Sequence, residues 1–378
     1  MVNIFQKSST LYLSVLYALL LPLHIMNTME VGGVKLWYFP VLLLACIGLF
    51  YLKKLKSIYI LRLLFAFLIL SFISAIIGGV EAINNSINLS IIILALFPLW
   101  GMNKTFIYRL FPFLFIVAIY FSFVYANWEN ANFRFQGMYN DPNYLCTSLV
   151  VGIYFCSQNF SKTPIVIKVV SLVAIVYAIY TIMFTQSRGG IIALLCICVF
   201  IILRYYKSNK IIVISSLIIL MFSASSIYLQ YAENIDNIVS RFSGEKESDR
   251  SSADSRLKEI NSAFSAIEDY PLTLVLGGGF GVTGKALDYT SGRGYILPYK
   301  YNNTHRIHNT YVAVFFEQGV FAFFIFMIML AKVGLSSWRT DKVKFGLLLS
   351  LSLQAMTIWV MPYLPFWLAY VICADENQ

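Results

Sequence analysis

Residues 110–128 read LFPFLFIVAIYFSFVYANW, nineteen positions with no aspartate, glutamate, lysine or arginine. A hydrocarbon layer about 30 Å thick takes roughly 20 apolar residues of α-helix to cross. Inside that layer every backbone N–H and C=O must be bonded within the segment, which a helix does unaided. The stretch is therefore read as a membrane-crossing helix. Outward from it, 11–29, 36–52, 82–103, 142–161, 189–203 and 211–232 also lack those four residue types. The runs 58–80, 163–187 and 307–331 carry no more than two such charges each. The run 345–374 is uncharged but interrupted by Pro362 and Pro365, and reads as two spans or as one span with a re-entrant tail. The first run is too long for a signal-peptide core and is kept as a span.

Composition agrees. Of 378 residues, 59% are apolar and 12% charged, where a soluble chain carries about a quarter charged. The expectation is an all-α polytopic membrane protein with about eleven or twelve transmembrane helices, forming a single transmembrane domain over 1–378. Lysine and arginine in short loops mark the inner side of a membrane. With Lys7 and the N-terminus inside, the groups Lys53, Lys54 and Lys56, then Lys104, Lys162, Arg204–Lys210, and Lys332, Arg339, Lys342 and Lys344 also fall inside. The opposite short loops carry only Lys35, Arg134 and Arg188. The net charge of +10 is thus read as a topology signal and not as a nucleic-acid surface.

Several chemistries find no support. The six cysteines all lie in apolar runs and read as small packing residues, without disulfide or zinc spacing. No Walker loop, dinucleotide fingerprint or HExxH occurs, so neither a cofactor nor a metal is expected. Absence of an internal repeat counts against a transporter built of two related halves.

One loop is long, 232–307, and the topology puts it outside. Within it, residues 254–269 read as an amphipathic helix with Leu257, Ile260, Phe264 and Ile267 on one face, capped by Ser252 or Asp254 and stopped by Pro271. Such a helix lies on a membrane surface or lids a cavity. Leu276-Gly-Gly-Gly-Phe-Gly281 follows, a flexible turn where backbone approaches a ligand closely.

Three clusters meet at the outer face. Arg134-Phe-Gln-Gly-Met-Tyr-Asn-Asp-Pro-Asn143 leads into the sixth span, Thr185-Gln-Ser-Arg-Gly-Gly190 turns between the seventh and eighth, and the third runs from Asp254-Ser-Arg256 to His305-Arg-Ile-His-Asn-Thr-Tyr311. Arginine is suited to fork-like recognition of phosphate oxygens, so the clusters point to a pocket for an anionic, phosphorylated ligand. Plainer readings stand beside this one. Arg188 snorkels to lipid headgroups, and Arg256 touches headgroups or a carboxylate. His308 is a structural hydrogen-bonder, and His305 and Arg306 are solvated. Asp141-Pro-Asn143 caps the sixth span. Glu317, nine residues beyond His308 and on the opposite side of the tenth span, pairs with a neighbouring helix. Tyr139, Tyr289 and Tyr301 are candidates for stacking on sugar rings.

In their order, Asn140-Asp-Pro-Asn143, Thr185-Gln-Ser-Arg-Gly-Gly190, Asp254-Ser-Arg256, Leu276-Gly-Gly-Gly-Phe-Gly281 and His308-Asn-Thr-Tyr-Val with Glu317-Gln-Gly319 resemble the bacterial O-antigen polymerase and O-antigen ligase superfamily, most securely over 135–330. The resemblance implies a GT-C-like, metal-independent glycosyltransferase of the bacterial inner membrane, with a cytoplasmic N-terminus and a large periplasmic loop. It implies a sugar donor on undecaprenyl diphosphate and a chain-length regulator protein as a further partner. It implies Arg188, Arg256 and His308 as catalytic residues, with Asn143, Asp141, Asn309, Arg134 and Arg306 binding substrate. His308 either activates the acceptor or contacts the diphosphate. The Ser187-Arg-Gly-Gly form and the tyrosine-rich loop look more like a polymerase. A histidine followed by asparagine is also a ligase feature, so ligase stays open, as do another transferase of the superfamily and a non-enzymatic lipid-linked-sugar transporter.

Overall fold

The computed structural model describes residues 2–51, 59–100, 102–126, 134–139, 141–161, 163–206, 247–269, 271–283 and 307–375, with backbone alone for 2–9 and 247–255. The helices are α1 (Val2–Ile25), α2 (Tyr38–Tyr51), α3 (Tyr59–Gly78), α4 (Val80–Leu96), α5 (Thr105–Val124), α6 (Pro142–Ser157), α7 (Ile165–Thr185), α8 (Arg188–Tyr206), α9 (Glu247–Asp269), α10 (Leu272–Leu276), α11 (Thr310–Thr340), α12 (Lys342–Ala355) and α13 (Leu364–Ala374). A two-residue hairpin, β1 (Glu30–Val31) with β2 (Val34–Lys35), joins α1 to α2. Among the described residues six helices are long and apolar enough to cross a membrane: α3, α4 with the 3₁₀ turn that extends it to Leu99, α5, α7, α8 and α11. Thr10–Ile25, α2 and α13 are shorter and apolar. The protein is a polytopic helical membrane protein. The run 211–232, expected as a span, lies outside the described residues.

Helices alternate up and down, so their ends gather in two layers. One layer holds Lys104 and Lys344 around Asp375, Arg204 on Asp341 at 3.0 Å, and Asn159 on the Tyr108 carbonyl. The other holds His24 on Tyr139, the start of α6, the α7–α8 turn, and the segments 277–283, 307–310 and 354–363. Lys104, Arg204 and Lys344, expected on one side, thus share one layer, and Asp141, Asn143, Arg188, His308 and Asn309 share the other.

The uncharged run 345–374 resolves into α12 and α13, which run in opposite directions around an irregular stretch, 356–363. At 11 residues α13 is about 16 Å long, too short to cross a bilayer. All of its residues are buried. Irregular backbone is tolerated at membrane depth where protein surrounds it, and here it is bonded inside the protein. Val360 N–H donates to the Thr310 hydroxyl at 3.0 Å, Tyr363 N–H to the Val360 carbonyl at 2.9 Å, and Trp367 Nε1 to the Met361 carbonyl at 2.7 Å.

A second discontinuity lies in α11, where Gly319 takes φ 86°. The freed groups of that kink are met by the glycine turn. Gly278 N–H donates to the Phe316 carbonyl at 2.9 Å, and Gly279 N–H to the Glu317 carbonyl at 3.0 Å. A Cβ on Gly319 would stand 2.4 Å from the Val275 carbonyl oxygen, so a side chain is excluded by space as well as by φ. The Glu317 carboxylate, fully buried, accepts from Gly281 N–H at 3.0 Å and from the Thr283 hydroxyl. The Glu317 carboxylate is thus held by the glycine turn, while its carbonyl accepts from the Ser74 hydroxyl of α3. The turn itself packs on α11.

Helix α9 covers the stretch expected as a helix and stops at Asp269 before Pro271. It is already helical at Glu247, so neither Ser252 nor Asp254 is its cap. Its buried stripe is Glu259, Ser262, Ala263 and Ala266, while Leu257 is 58% and Phe264 47% exposed. Small side chains let the helix sit close to α11; Leu257 and Phe264 turn outward, as on a helix at a membrane surface, while Ile267 packs against the core.

Candidate active site

Asp141 starts the site. With Pro142 at the first helical position, its side chain accepts from Asn143 N–H at 2.7 Å and caps α6. The same oxygen accepts from Asn143 Nδ2 at 2.8 Å. Buried Asn143 in turn accepts from the Ser187 hydroxyl, and its carbonyl accepts from Gln354 Nε2 at 2.8 Å. The first and second clusters are therefore one hydrogen-bonded unit.

The α7–α8 turn is tight because Gln186 adopts φ 50°, a left-handed conformation that costs a residue with a Cβ. Ser187 Oγ accepts from Gly190 N–H at 3.0 Å and closes the turn. A Cβ on Gly190 would meet Cys146 Sγ at 2.4 Å, so glycine is what allows α8 to start against α6. Arg188 is the first residue of α8 and is partly exposed. Arg134 donates through Nε to the Thr185 carbonyl at 3.1 Å, at the same turn.

The third cluster forms where α9 meets α11. His308 Nδ1 lies 3.1 Å from Glu259 Oε2 and 3.2 Å from Oε1, and His308 N–H donates to Oε2 at 3.1 Å. Glu259 is 5% exposed and the His308 side chain 38%. Arg256, three residues before Glu259 and partly exposed, shares that side of α9. Asn309 caps α11, accepting from Tyr311 and Val312 N–H at 3.0 and 3.2 Å. Next to it, the Thr310 hydroxyl donates to the Ile358 carbonyl.

The irregular stretch between α12 and α13 joins the halves. Gln354 holds Asn143, Thr357 packs against Gly189, and Ile358 and Val360 hold Thr310. Trp359 lies against Phe280, ring centroids 5.8 Å apart. Tyr363 stacks on Tyr144 at 3.8 Å. No charged or motif residue marks 354–363, so sequence reasoning passed over it. Glu259 was missed because it sits on the face of α9 that is poor in large apolar residues.

The remaining candidates sort as follows. Tyr139, offered for sugar stacking, is buried and bonded to His24 Nδ1 at 2.7 Å and to Ser148 Oγ at 2.8 Å; burial raises its phenol pKa. Its ring is not accessible to a sugar. Asn140, Tyr289, Tyr301, His305 and Arg306 lie outside the described residues. Asp141, Asn143 and Asn309 spend hydrogen bonds on capping and bracing, and Arg134, Arg188, Arg256 and His308 are partly exposed basic groups among the described residues of this layer.

Comparison with known proteins gives one family. No curated protein matches the chain. Residues 173–327, from α7 through the large loop into α11, match the family model described as O-antigen ligase. Over residues 173–327 the chain is therefore similar to the O-antigen ligase family.

Proposed function

We propose that the protein polymerises undecaprenyl-diphosphate-linked oligosaccharide repeat units into O-antigen, at the periplasmic face of the bacterial inner membrane. The observation that carries this reading is the joining of the Asn143–Arg188 unit to the Arg256–His308 unit through 354–363, at the end of the bundle opposite the Lys104–Asp375 pair. Arg188 and Arg256 bind the diphosphate of the growing chain's carrier. An acceptor hydroxyl of the next lipid-linked unit attacks the anomeric carbon, and the bond from that carbon to the diphosphate oxygen breaks. Undecaprenyl diphosphate leaves with the electron pair, its charge met by the arginines and by the N-terminal end of α8. His308 takes the hydroxyl proton or holds a diphosphate oxygen; an imidazole has one nitrogen that can accept and one that can donate, which suits either task. Arg134 and Arg306 add positive charge, and Asp141, Asn143 and Asn309 shape the floor. The reaction draws on the activated sugar and needs neither nucleotide nor metal. A chain-length regulator is the expected protein partner.

The description of the matching family model favours a second reading, transfer of finished polysaccharide to lipid A–core. A lipopolysaccharide gel from a deletion strain, complemented with wild type or His308→Ala, separates the two. Core bearing a single repeat unit in the deletion strain marks a polymerase. Bare core, with long chains held on the lipid carrier, marks a ligase. His308→Ala is expected not to complement at normal protein level; full complementation removes His308 from the reaction.

A further inference from the structure

We infer that Glu259 is a positioning residue for His308, setting which ring nitrogen exchanges protons with substrate. This rests on the reading of His308 given above. The argument begins with the cost of burying an acid. The inner stripe of α9 is otherwise Ser262, Ala263 and Ala266, and a carboxylate among them is unfavourable unless hydrogen bonds replace its water. His308 supplies two, one from its backbone and one from its ring. Two attachment points fix the ring's orientation, where one would leave it free to turn.

The contact also specifies a tautomer. An ionised carboxylate only accepts hydrogen bonds, so the hydrogen of a neutral His308 ring belongs on Nδ1. Nε2, on the other edge of the ring, is then the atom that takes or returns a proton, since the bond made by one ring nitrogen fixes the state of the other. The positions are 49 apart in sequence, so the contact ties the end of the large loop back to its own helix. It sets His308 beside the turn of α9 that carries Arg256. One buried acid thereby holds the proton-exchanging group against the helix that carries a diphosphate-binding arginine, the kind of support a reacting group needs to hold its geometry.

The test uses the full chain, purified and labelled with ¹⁵N on histidine only. There are three histidines, His24, His305 and His308, and the His308 signal is the one missing from His308→Ala. In wild type its neutral ring is expected to carry hydrogen on Nδ1. In Glu259→Gln, where an amide both donates and accepts, the Nε2–H form is expected to grow. Turnover with lipid-linked donor is expected to fall about 10- to 100-fold, a fraction of what a positioned acid–base group contributes, with KM for the donor little changed. A change of tautomer is an outcome that a purely architectural role would not produce. An unchanged ring signal in Glu259→Gln, or full turnover in that variant, overturns the inference. If Glu259→Gln does not purify as a folded protein, the same comparison is made on Glu259→Asp, whose retracted carboxylate no longer meets both His308 groups. Full transfer by His308→Ala, with the tautomer still moving in Glu259→Gln, would mean that the reading of His308 has failed and the contact stands.

Discussion

Two buried carboxylates each hold a basic side chain, at opposite ends of the bundle. At one end Asp375 takes the Lys104 ammonium, and both side chains are shut off, at 0% and 1% exposure. Lys344 adds a bond to the Asp375 carbonyl at 2.7 Å. At the other end Glu259 takes His308, but only the acid is buried; the ring is 38% exposed. The first pair joins the ends of three helices and has no face left for a ligand. The second joins a loop helix to the start of α11 and leaves one partner reachable. Burial of both partners marks architecture, and burial of one marks a held but usable group.

The sharpest way to break this comparison is at the closed end. Lys104→Ala leaves Asp375 buried without its ammonium, which costs about 3–5 kcal/mol when such a pair is split. Burial already pushes the Lys104 pKa below its ordinary value, with Asp375 pulling it back. The expected result is a large drop in melting temperature of the purified protein, with turnover per folded molecule unchanged. Lys104→Met combined with Asp375→Leu is expected to recover most of the loss, because no charge is then stranded. Lost turnover in a folded Lys104→Ala protein would show that the closed end takes part in the reaction.

The open end is expected to respond in the reverse sense. Arg188→Ala and Arg256→Ala are each expected to slow transfer about 100- to 1000-fold, the usual effect of removing one charge-stabilising donor, with little change in melting temperature. Normal product from both variants at normal protein level would put the diphosphate site elsewhere.

How much of this was legible follows from which forces act locally. The apolar runs foretold α1 to α8 and α11 because burial in lipid is written residue by residue in hydropathy. The break between α12 and α13 was legible from Pro362 and Pro365, with two spans or a re-entrant tail as its alternatives, but its use as a joint was not. What makes it a joint, Thr310 on Ile358 and Val360 and Gln354 on Asn143, is long-range hydrogen bonding between residues with no pattern of their own. The outward Leu257 and Phe264 of α9 agree with the membrane-surface alternative read from the sequence. Its inner face was not legible, because Glu259, Ser262, Ala263 and Ala266 form no apolar pattern of their own. Motif positions were legible, and so was the cap that the motif residue Asp141 makes on α6; the cap that Asn309 makes on α11 was not.

That overlap makes Asp141 the finest test of the comparison. As a cap it contributes about 1 kcal/mol, and serine or asparagine can replace its oxygen. Asp141→Ala is expected to lower the melting temperature modestly, and Asp141→Ser to restore it. If the carboxylate also meets substrate, serine will restore stability and not turnover. If capping and bracing Asn143 is all it does, the two quantities will recover together. The second outcome is the one expected, since one Asp141 oxygen already accepts from both Asn143 N–H and Asn143 Nδ2, and Asn143 itself is tied to Ser187 and Gln354. Separate recovery would move Asp141 from the frame of the site into its reacting surface.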